Sequence, residues 1–475
     1  MDKHFSVFLL LIGWTLSGHS QHQELSEPSL TYKQKPVVID SPTKALLDVF
    51  RHSTWSGHFR YFFMATDNES PYTDYFANAI GGGLKMETAP LYHLRVGISG
   101  FYIFNVGSSN FAKRDSVSQQ LNRYESALFD INNPSKKSDM DRLEELYVSY
   151  ENRGTHITFG KQMINTPFVN LQDGRMRPTG VEGLWLESRN KKRMKLELGY
   201  LYRISPRSTF SYYDIGKSIG MYPIGVNEDG SKSDYRNNLQ SKGIFIGGIS
   251  GPIFQRSAFQ IWNQFVENIF NTSMLQADML LHKNAKHEVN AGLQSIIQIP
   301  VHDGGNSDIH KSYFDPQSRS ISFGAKLVWN RNKSGVSINY NRITAHGRYL
   351  MPREWGREPF FTFLPRERNE GLGDVHAILL KLNHSFPVIR LKTTVGLGYY
   401  DLPEVTNFRL NKYGMPSYTQ CNLDIRYQFA GVLKGLDAQL LFVRKWKATQ
   451  QPLSDKNIIN KVQMTQLNAV LNFRY

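Results

Sequence analysis

Segments of strand length in which apolar and polar residues alternate recur from Trp55 to the end of the chain. The last twelve residues show the pattern most clearly. One parity carries Leu467, Ala469, Leu471, Phe473 and Tyr475, and the other carries Asn468, Asn472 and Arg474. Successive side chains of a β-strand point to opposite faces, so this segment has one apolar face and one polar face. Helical spacing does not fit it.

The same alternation predicts about 18 strands, with the roughly 9 to 11 residues or more that a tilted strand needs to cross a bilayer. We place them at 55–64, 75–88, 91–104, 142–151, 155–163, 180–189, 193–204, 241–250, 256–267, 271–282, 286–299, 319–329, 334–345, 374–385, 388–400, 417–429, 435–446 and 462–475.

The connections between these strands alternate in length. Short ones such as "NRG", "NKK", "KNAK" and "FP" are interleaved with long ones at 105–141, 205–240, 346–373 and 447–461. The connection around Asn268 to Asn271 is the exception, because it is short where a long one is expected. A membrane barrel has tight periplasmic turns at one rim and long external loops at the other. The fold class predicted is therefore all-β: a transmembrane antiparallel β-barrel with short periplasmic turns and long extracellular loops.

Composition agrees with a barrel rather than a bundle of membrane helices. Aromatic residues make up 13% of the chain while the mean hydropathy is only −0.42. In hydrocarbon every backbone polar group needs a partner, so the sheet must close and the last strand must pair with the first. Tyr475 would then lie at the membrane interface, where it resembles the terminal signal that barrel-insertion machinery reads.

The N-terminus has a different character. Lys3 precedes the apolar run "FSVFLLLIGWTL", which is the layout of a secretory signal peptide. We predict a signal peptide at 1–20, a periplasmic lead segment at 21–54 and the barrel at 55–475. This organisation predicts export to the outer membrane, with outer-membrane lipid around the barrel.

The polar faces of the strands are rich in cations. Arg60, Arg95, Lys195, Arg203, Arg390, Lys392, Arg426 and Arg474 all stand opposite the apolar residues of their segments, and the formal net charge is +15. Guanidinium groups along a water-filled pore would favour carboxylates or phosphates. The alternative is that individual cations bind lipid head groups or solubilise the rims.

The stretch "GKQMINTPFVNLQDGRMRPTGVEG", from Gly160 to Gly183, does not alternate. It could be a simple surface loop. Its length and its charged residues Asp173, Arg175 and Arg177 instead favour a loop folded into the barrel that forms the pore constriction.

This stretch, with "YFANAIGGGLKMETAPLYHLRVGISGFY" and "YGMPSYTQCNLDIRYQF", resembles the OprD family of outer-membrane porins over about Trp55 to Tyr475. Asp173, Arg175, Met176 and Pro178 match the family's constriction motif, whereas Arg177 is a local feature. The resemblance implies a monomeric barrel of 18 strands that guides small carboxylate-bearing solutes such as amino acids. It also implies a basic ladder, placed on Arg390, Lys392, Arg426 and Arg474, and an acidic loop partner, for which the candidates are Glu354, Glu358 and Glu367.

Other functions have weaker sequence support. No G-x-S-x-G elbow and no H-E-x-x-H spacing occurs, and the single Cys421 falls on an apolar parity. No basic cluster with interleaved aromatics suggests nucleic-acid binding. A transporter of hydrophobic solutes should carry a plug-like N-terminal segment and an apolar lumen. We therefore predict a porin for small anionic or zwitterionic solutes, with no catalytic residues, metal or cofactor.

Overall fold

A computed structural model of the chain describes residues 46–172 and 174–475. The predicted signal peptide and most of the predicted lead segment therefore lie outside the described residues, and the domain boundaries stay predictions. The described part begins with a short helix, α1 (Leu46–Arg51), which joins the wall where the Ala89 N–H donates to the Val49 carbonyl at 3.2 Å.

The wall is one antiparallel sheet that closes on itself. Its strands, 8 to 15 residues long apart from the two-residue β8, are β1 (Thr54–Asn68), β2 (Tyr75–Glu87), β3 (Leu94–Ser108), β4 (Met140–Asn152), β5 (Thr155–Gln162), β6 (Gly180–Arg189), β7 (Lys195–Ser205), β8 (Tyr213–Asp214), β9 (Ile244–Phe254), β10 (Ser257–Val266), β11 (Phe270–Lys283), β12 (His287–Pro300), β13 (Ser320–Arg331), β14 (Ser334–Ile343), β15 (Val375–Phe386), β16 (Leu391–Asp401), β17 (Tyr418–Gln428), β18 (Leu436–Lys447) and β19 (Met464–Arg474). Leaving β8 aside, 18 long strands form the barrel, and each corresponds to one of the predicted segments.

The barrel closes between its first and last strands, as the sequence predicts. Tyr61 lies opposite Leu471 and Phe59 opposite Phe473 across the β1–β19 seam. The seam continues to the last residue, where Gly57 and Tyr475 exchange backbone hydrogen bonds of 3.3 and 3.2 Å. The sheet therefore has no free edge along this seam.

Burial alternates along each strand in the sense opposite to that of a soluble protein. On β12, Leu293 is 56% exposed while the adjacent Gln294 is only 5% exposed. On β19, Leu471 faces outward and Asn472 is buried. Apolar side chains thus form the outer surface and polar side chains the inner one, as expected when lipid replaces water outside the barrel.

The connections also follow the predicted alternation. Turns at one rim are short, for example Arg153 and Gly154 between β4 and β5, while the other rim carries connections such as 109–139, 206–243 and 344–374. The anomalous short connection is real, since only three residues, 267–269, join β10 to β11. Its brevity is compatible with closure because the neighbouring 206–243 segment covers that rim, with the Gln240 carbonyl accepting from the Asn268 side chain.

The long connections contain much of the buried apolar surface and the remaining short helices, except the turn Gly431–Leu433, which lies between β17 and β18. The α-helix α2 spans Asp455–Ile458, and single 3₁₀ turns occupy Glu125–Leu128, Gly216–Ser218, Ile309–Lys311, Arg353–Trp355 and Gly431–Leu433. Among the described residues, no helix is long and apolar enough to span a bilayer.

The β5–β6 loop (163–179) and the β14–β15 loop (344–374) both enter the barrel. Phe168 of the first and Trp355 of the second are almost completely buried. The two loops meet at Asn170, whose backbone N–H donates to the Trp355 carbonyl at 3.1 Å and whose side chain donates to the Arg357 carbonyl at 2.9 Å. They narrow the lumen together.

Candidate functional site

A cavity of about 200 Å³ lies between the two inward loops and the wall formed by β15 to β19 and β1. Its charged lining is strongly one-sided. Among the described residues, seven cations line it, Arg60, Arg175, Arg357, Arg366, Lys381, Lys392 and Arg426, against one carboxylate, Asp424. We call this space the cationic cavity.

Strand alternation places four of these cations. Lys381 on β15 stands between Leu380 and Leu382, which are 39% and 43% exposed on the outer face. Lys392 and Arg426 lie directly opposite each other on β16 and β17. Because the outward positions of these strands are apolar, the cations between them face the lumen.

Arg60 and Arg426 are both held by neighbouring polar groups. Arg60 is 4% exposed and donates to the Asn472 side-chain oxygen at 2.8 Å across the closing seam. Arg426 pairs with Asp424 two residues earlier on the same face, at 2.8 Å. Asp424 also accepts from Gln439 at 3.0 Å, so this carboxylate is already engaged by wall residues.

The β14–β15 loop brings in two further cations, Arg357 and Arg366. Arg366 adopts a positive φ of 75° and reaches the wall, where its guanidinium donates to Asn468 on β19 at 2.7 Å. Its carbonyl accepts from the buried Lys445 Nζ on β18 at 2.6 Å. Neither loop arginine belongs to an alternating segment, so strand parity could not have identified them.

Backbone carbonyls of the same loop are bound by wall side chains from widely separated strands. Gln298 on β12 donates to the Leu350 carbonyl at 2.6 Å, and Gln420 on β17 donates to the Pro365 carbonyl at 2.8 Å. The Tyr400 hydroxyl on β16 donates to the Thr362 carbonyl at 2.9 Å. Attachment at several points around the barrel fixes the loop across the lumen, which is what a constriction requires.

The β5–β6 loop places its two predicted arginines differently. Arg175, with a positive φ of 54°, lines the cationic cavity. Arg177 points away from the cavity and forms a two-pronged ion pair with Glu144 on β4. Its guanidinium also contacts His58 Nδ1 at 2.9 Å and lies 4.3 Å above the centre of the Phe101 ring. Arg177 therefore ties the loop to β1, β3 and β4. The third predicted constriction residue, Asp173, lies outside the described residues.

The remaining predicted ladder residues do not line the cationic cavity. Arg95 pairs with Glu87 at 3.4 Å near the turn between β2 and β3, and Arg474 pairs with Asp437 at the end of the closing seam. Both lie at the same rim as α1.

The sequence pattern places Arg203 and Arg390 on the lumen wall, but the structure does not. Arg203 is about half exposed and pairs with Asp214 at 3.5 Å. A register shift between β6 and β7 lies just before Arg203, and beyond it the residues that would face the lumen face outward instead. Arg390 is exposed in the turn before β16, with a φ of 56°, so it belongs to no strand face. The prediction that these two side chains lie on the lumen wall is wrong.

The three candidate acidic residues are buried inside the β14–β15 loop and do not line the cationic cavity. Glu354 accepts from the backbone N–H groups of Gly220 and Tyr222 at 2.9 and 3.0 Å. Glu358 pairs with Arg368 at 3.4 Å. Burial, together with the nearby Glu358, raises the pKa of Glu367 well above its usual range. These carboxylates hold the shape of the loop.

The comparison with protein families is now informative. A family profile described as "outer membrane porin, OprD family" matches residues 135–341, which include the whole β5–β6 loop. Over these residues the chain is similar to OprD-family porins. Its location is accordingly the outer membrane. No curated protein matches the sequence.

Solved OprD-like porins share the whole barrel at low sequence identity. The crystal structure of Pseudomonas aeruginosa OpdK with vanillate is 12% identical with a TM-score of 0.69, covering 90% of this chain and 99% of that one. P. aeruginosa OccD3 (OpdP) is 10% identical with a TM-score of 0.67, covering 94% and 98%. Acinetobacter baumannii OccAB4 is 14% identical with a TM-score of 0.67, covering 89% and 98%. At these identities the likeness is one of fold.

Proposed function

We propose that this OprD-family porin allows passive, selective diffusion of small carboxylate-bearing solutes through the cationic cavity. The observation that carries the proposal is the excess of seven cations over one carboxylate among the described residues of the cavity lining. In a narrow space with a low-dielectric wall, such an excess lowers the barrier for an anion and raises it for a cation.

The contacts of Asp424 strengthen this reading. Because its carboxylate is engaged by Arg426 and Gln439, it offsets part of the charge of one wall arginine only. The cations contributed by the loops, Arg175, Arg357 and Arg366, meet those of the wall, so an entering carboxylate would encounter positive charge on both sides of its path.

The proposal also covers the oligomeric state, cofactors, chemistry and membrane insertion of this protein. It acts as a monomer without cofactor or metal, performs no covalent chemistry, and is inserted with the help of barrel machinery that reads the Tyr475 strand. OpdK has been crystallised with vanillate, an aromatic carboxylate, which supports the substrate class but does not name the solute of this chain. A transporter of hydrophobic solutes has less support, since a path lined by seven cations is costly for an apolar molecule.

Reconstitution into planar bilayers tests the pore and its selectivity together. Under a KCl gradient, the reversal potential should report preference for chloride over potassium. Liposome swelling should be faster with propionate or succinate than with uncharged solutes of the same size. Absence of ion current would contradict the pore, and equal swelling rates for charged and uncharged solutes would contradict carboxylate selectivity.

A further inference from the structure

A second cavity, of about 100 Å³, lies at the outer end of the barrel. It is formed by the 206–243, 301–319 and 402–417 connections together with the β14–β15 loop, and it shares no lining residue with the cationic cavity. We call it the outer cavity. Its volume is a few times that of one water molecule in the liquid, so it suits a small molecule.

A buried lysine forms part of its lining. Lys412 is 2% exposed, and its Nζ donates to the Tyr235 hydroxyl at 3.1 Å. The ammonium also lies 4.6 and 4.7 Å from the ring centres of Tyr235 and Tyr313. Among the described residues no carboxylate forms an ion pair with it, and burial lowers the pKa of Lys412 to about 7. A lysine has three N–H donors, so further hydrogen bonds can be formed here.

A second polar group in this lining lacks a protein partner. Tyr313 is 6% exposed, and its hydroxyl has no hydrogen bond to any other described residue. A buried hydroxyl without a partner is destabilising, because it has lost its hydrogen bonds to water and gained none in the protein. Buried polar groups in native proteins nearly always find a partner, which can be a ligand or an ordered water. Lys412 and Tyr313 therefore form a donor pair suited to an anionic oxygen.

Three other residues of the lining carry the opposite charge. Glu228, Asp229 and Asp315 line the outer cavity. Arg348, also in the lining, is used structurally: its guanidinium donates to the carbonyls of Val226 and Asn227 at 2.8 and 2.9 Å. The cavity thus combines a buried pair of hydrogen-bond donors with three carboxylates. A simple anion would suit only the donors, and a simple cation would suit only the carboxylates.

We propose that the outer cavity binds a small zwitterion such as a free α-amino acid, with its carboxylate on Lys412 Nζ and the Tyr313 hydroxyl and its ammonium group near Glu228, Asp229 and Asp315. This deepens the proposed function, on which it rests, by adding a capture site before the cationic cavity. A carboxylate here replaces the missing partner of Tyr313 and compensates the buried ammonium of Lys412.

Saturation-transfer NMR on the detergent-solubilised full chain tests the proposal, with L-alanine as the probe. Propionate lacks the ammonium group of alanine and ethylamine lacks its carboxylate. Alanine should bind at least about tenfold more tightly than either analogue, because each analogue leaves one part of the cavity unsatisfied. Equal binding of propionate and alanine would overturn the proposal in favour of a simple anion site.

Tyr313→Phe removes one hydroxyl without changing shape and should weaken alanine binding by about tenfold. Lys412→Met should weaken it more. Lys283→Met, beside the β11–β12 turn at the opposite rim and in the lining of neither cavity, is the matched control and should leave alanine binding unchanged. Unchanged alanine binding in Tyr313→Phe would overturn the proposal. Migration of unheated samples on denaturing gels verifies that each variant keeps its barrel.

The two proposals fail separately. If the outer cavity is misassigned, alanine binding is insensitive to Tyr313→Phe while anion preference in KCl persists. If instead the pore is not anion-selective, the reversal potential shows it directly, whatever the result of the alanine titration.

Discussion

The two sides of the lumen wall differ in chemistry although both follow the same strand alternation. On β10 to β14 the buried polar side chains are amides and hydroxyls, apart from Lys326, which is paired with Asp278 at 2.7 Å. On β15 to β17 and β1 the wall contributes Lys381, Lys392, Arg426 and Arg60 to the cationic cavity. We call these the neutral side and the cationic side.

The difference teaches that a polar inner face can serve two purposes. Amides both donate and accept, so Gln298 can bind the Leu350 carbonyl and the Leu350 N–H at 2.6 and 2.9 Å. Gln294 likewise donates to the Pro359 carbonyl at 3.2 Å. The neutral side therefore only anchors the β14–β15 loop. The cationic side also anchors it, through Gln420 and Tyr400, and in addition provides the charge beside the space that remains.

The largest effect is expected from removing the part of the loop that joins the two sides. Replacing residues 356–368 with a Gly-Ser linker of equal length should raise single-channel conductance severalfold, because it removes both the obstruction and its wall contacts. Equal-length replacement of 116–122, a largely exposed segment of the β3–β4 connection, is the control. Unchanged conductance in the first variant would show that this loop does not limit the pore.

Charge removal should next distinguish the sides. The triple variant Lys381→Gln, Lys392→Gln and Arg426→Gln should abolish most of the preference for chloride, measured by reversal potential. Lys326→Gln, on the neutral side, removes a cation already compensated by Asp278 and should have a much smaller effect. If Lys326→Gln shifted the potential as far as Lys392→Gln alone, position around the barrel would not matter.

A third comparison concerns the two arginines of the β5–β6 loop. Arg177→Met leaves a buried carboxylate, Glu144, with Arg142 as its remaining partner at 2.8 Å, and should cost about 3 kcal/mol in the free energy of unfolding. Arg175→Gln should instead reduce chloride preference with little loss of stability. Urea-induced unfolding in lipid vesicles measures the first effect, and the reversal potential measures the second. Exchanged outcomes would reverse the roles assigned to the two residues.

The smallest effect is expected at Ser322 on the neutral side. Its buried hydroxyl has no partner among the described residues, so Ser322→Ala should change neither conductance nor selectivity measurably. Ser322→Lys sharpens the test by adding a cation to that side. If Ser322→Lys raises the anion preference only slightly, the solute path is confined to the cationic side. A large rise would show that solutes also pass along the neutral side.

Sequence alone predicted the wall well because lipid outside and water inside impose one rule on every strand. Leu471 and Asn472 obey it, and so does Lys381, which parity could have identified as a lumen residue. The rule failed at Arg203, where a register shift reverses the faces, and at Arg390, where a turn replaces the strand. Both errors come from backbone irregularities that leave no mark on the hydrophobic pattern.

The loops were harder to predict because their contacts are between distant residues and follow no period. Arg177 has the same charge as Arg175, and only the position of Glu144 and His58 shows that it anchors the loop. Arg357 and Arg366 reach the cavity through a fold held by wall amides from several strands. Glu354, Glu358 and Glu367 have the composition of a solute site, yet the loop uses them internally.

The β1–β19 seam has a consequence for biogenesis. It joins residues more than 400 positions apart, as in the Arg60 to Asn472 hydrogen bond, so the cylinder cannot seal until the final segment has been secreted. If one strand were missing, two edge strands would expose unpaired backbone N–H and C=O groups to the bilayer. The barrel can therefore close only when β19 is present to pair with β1.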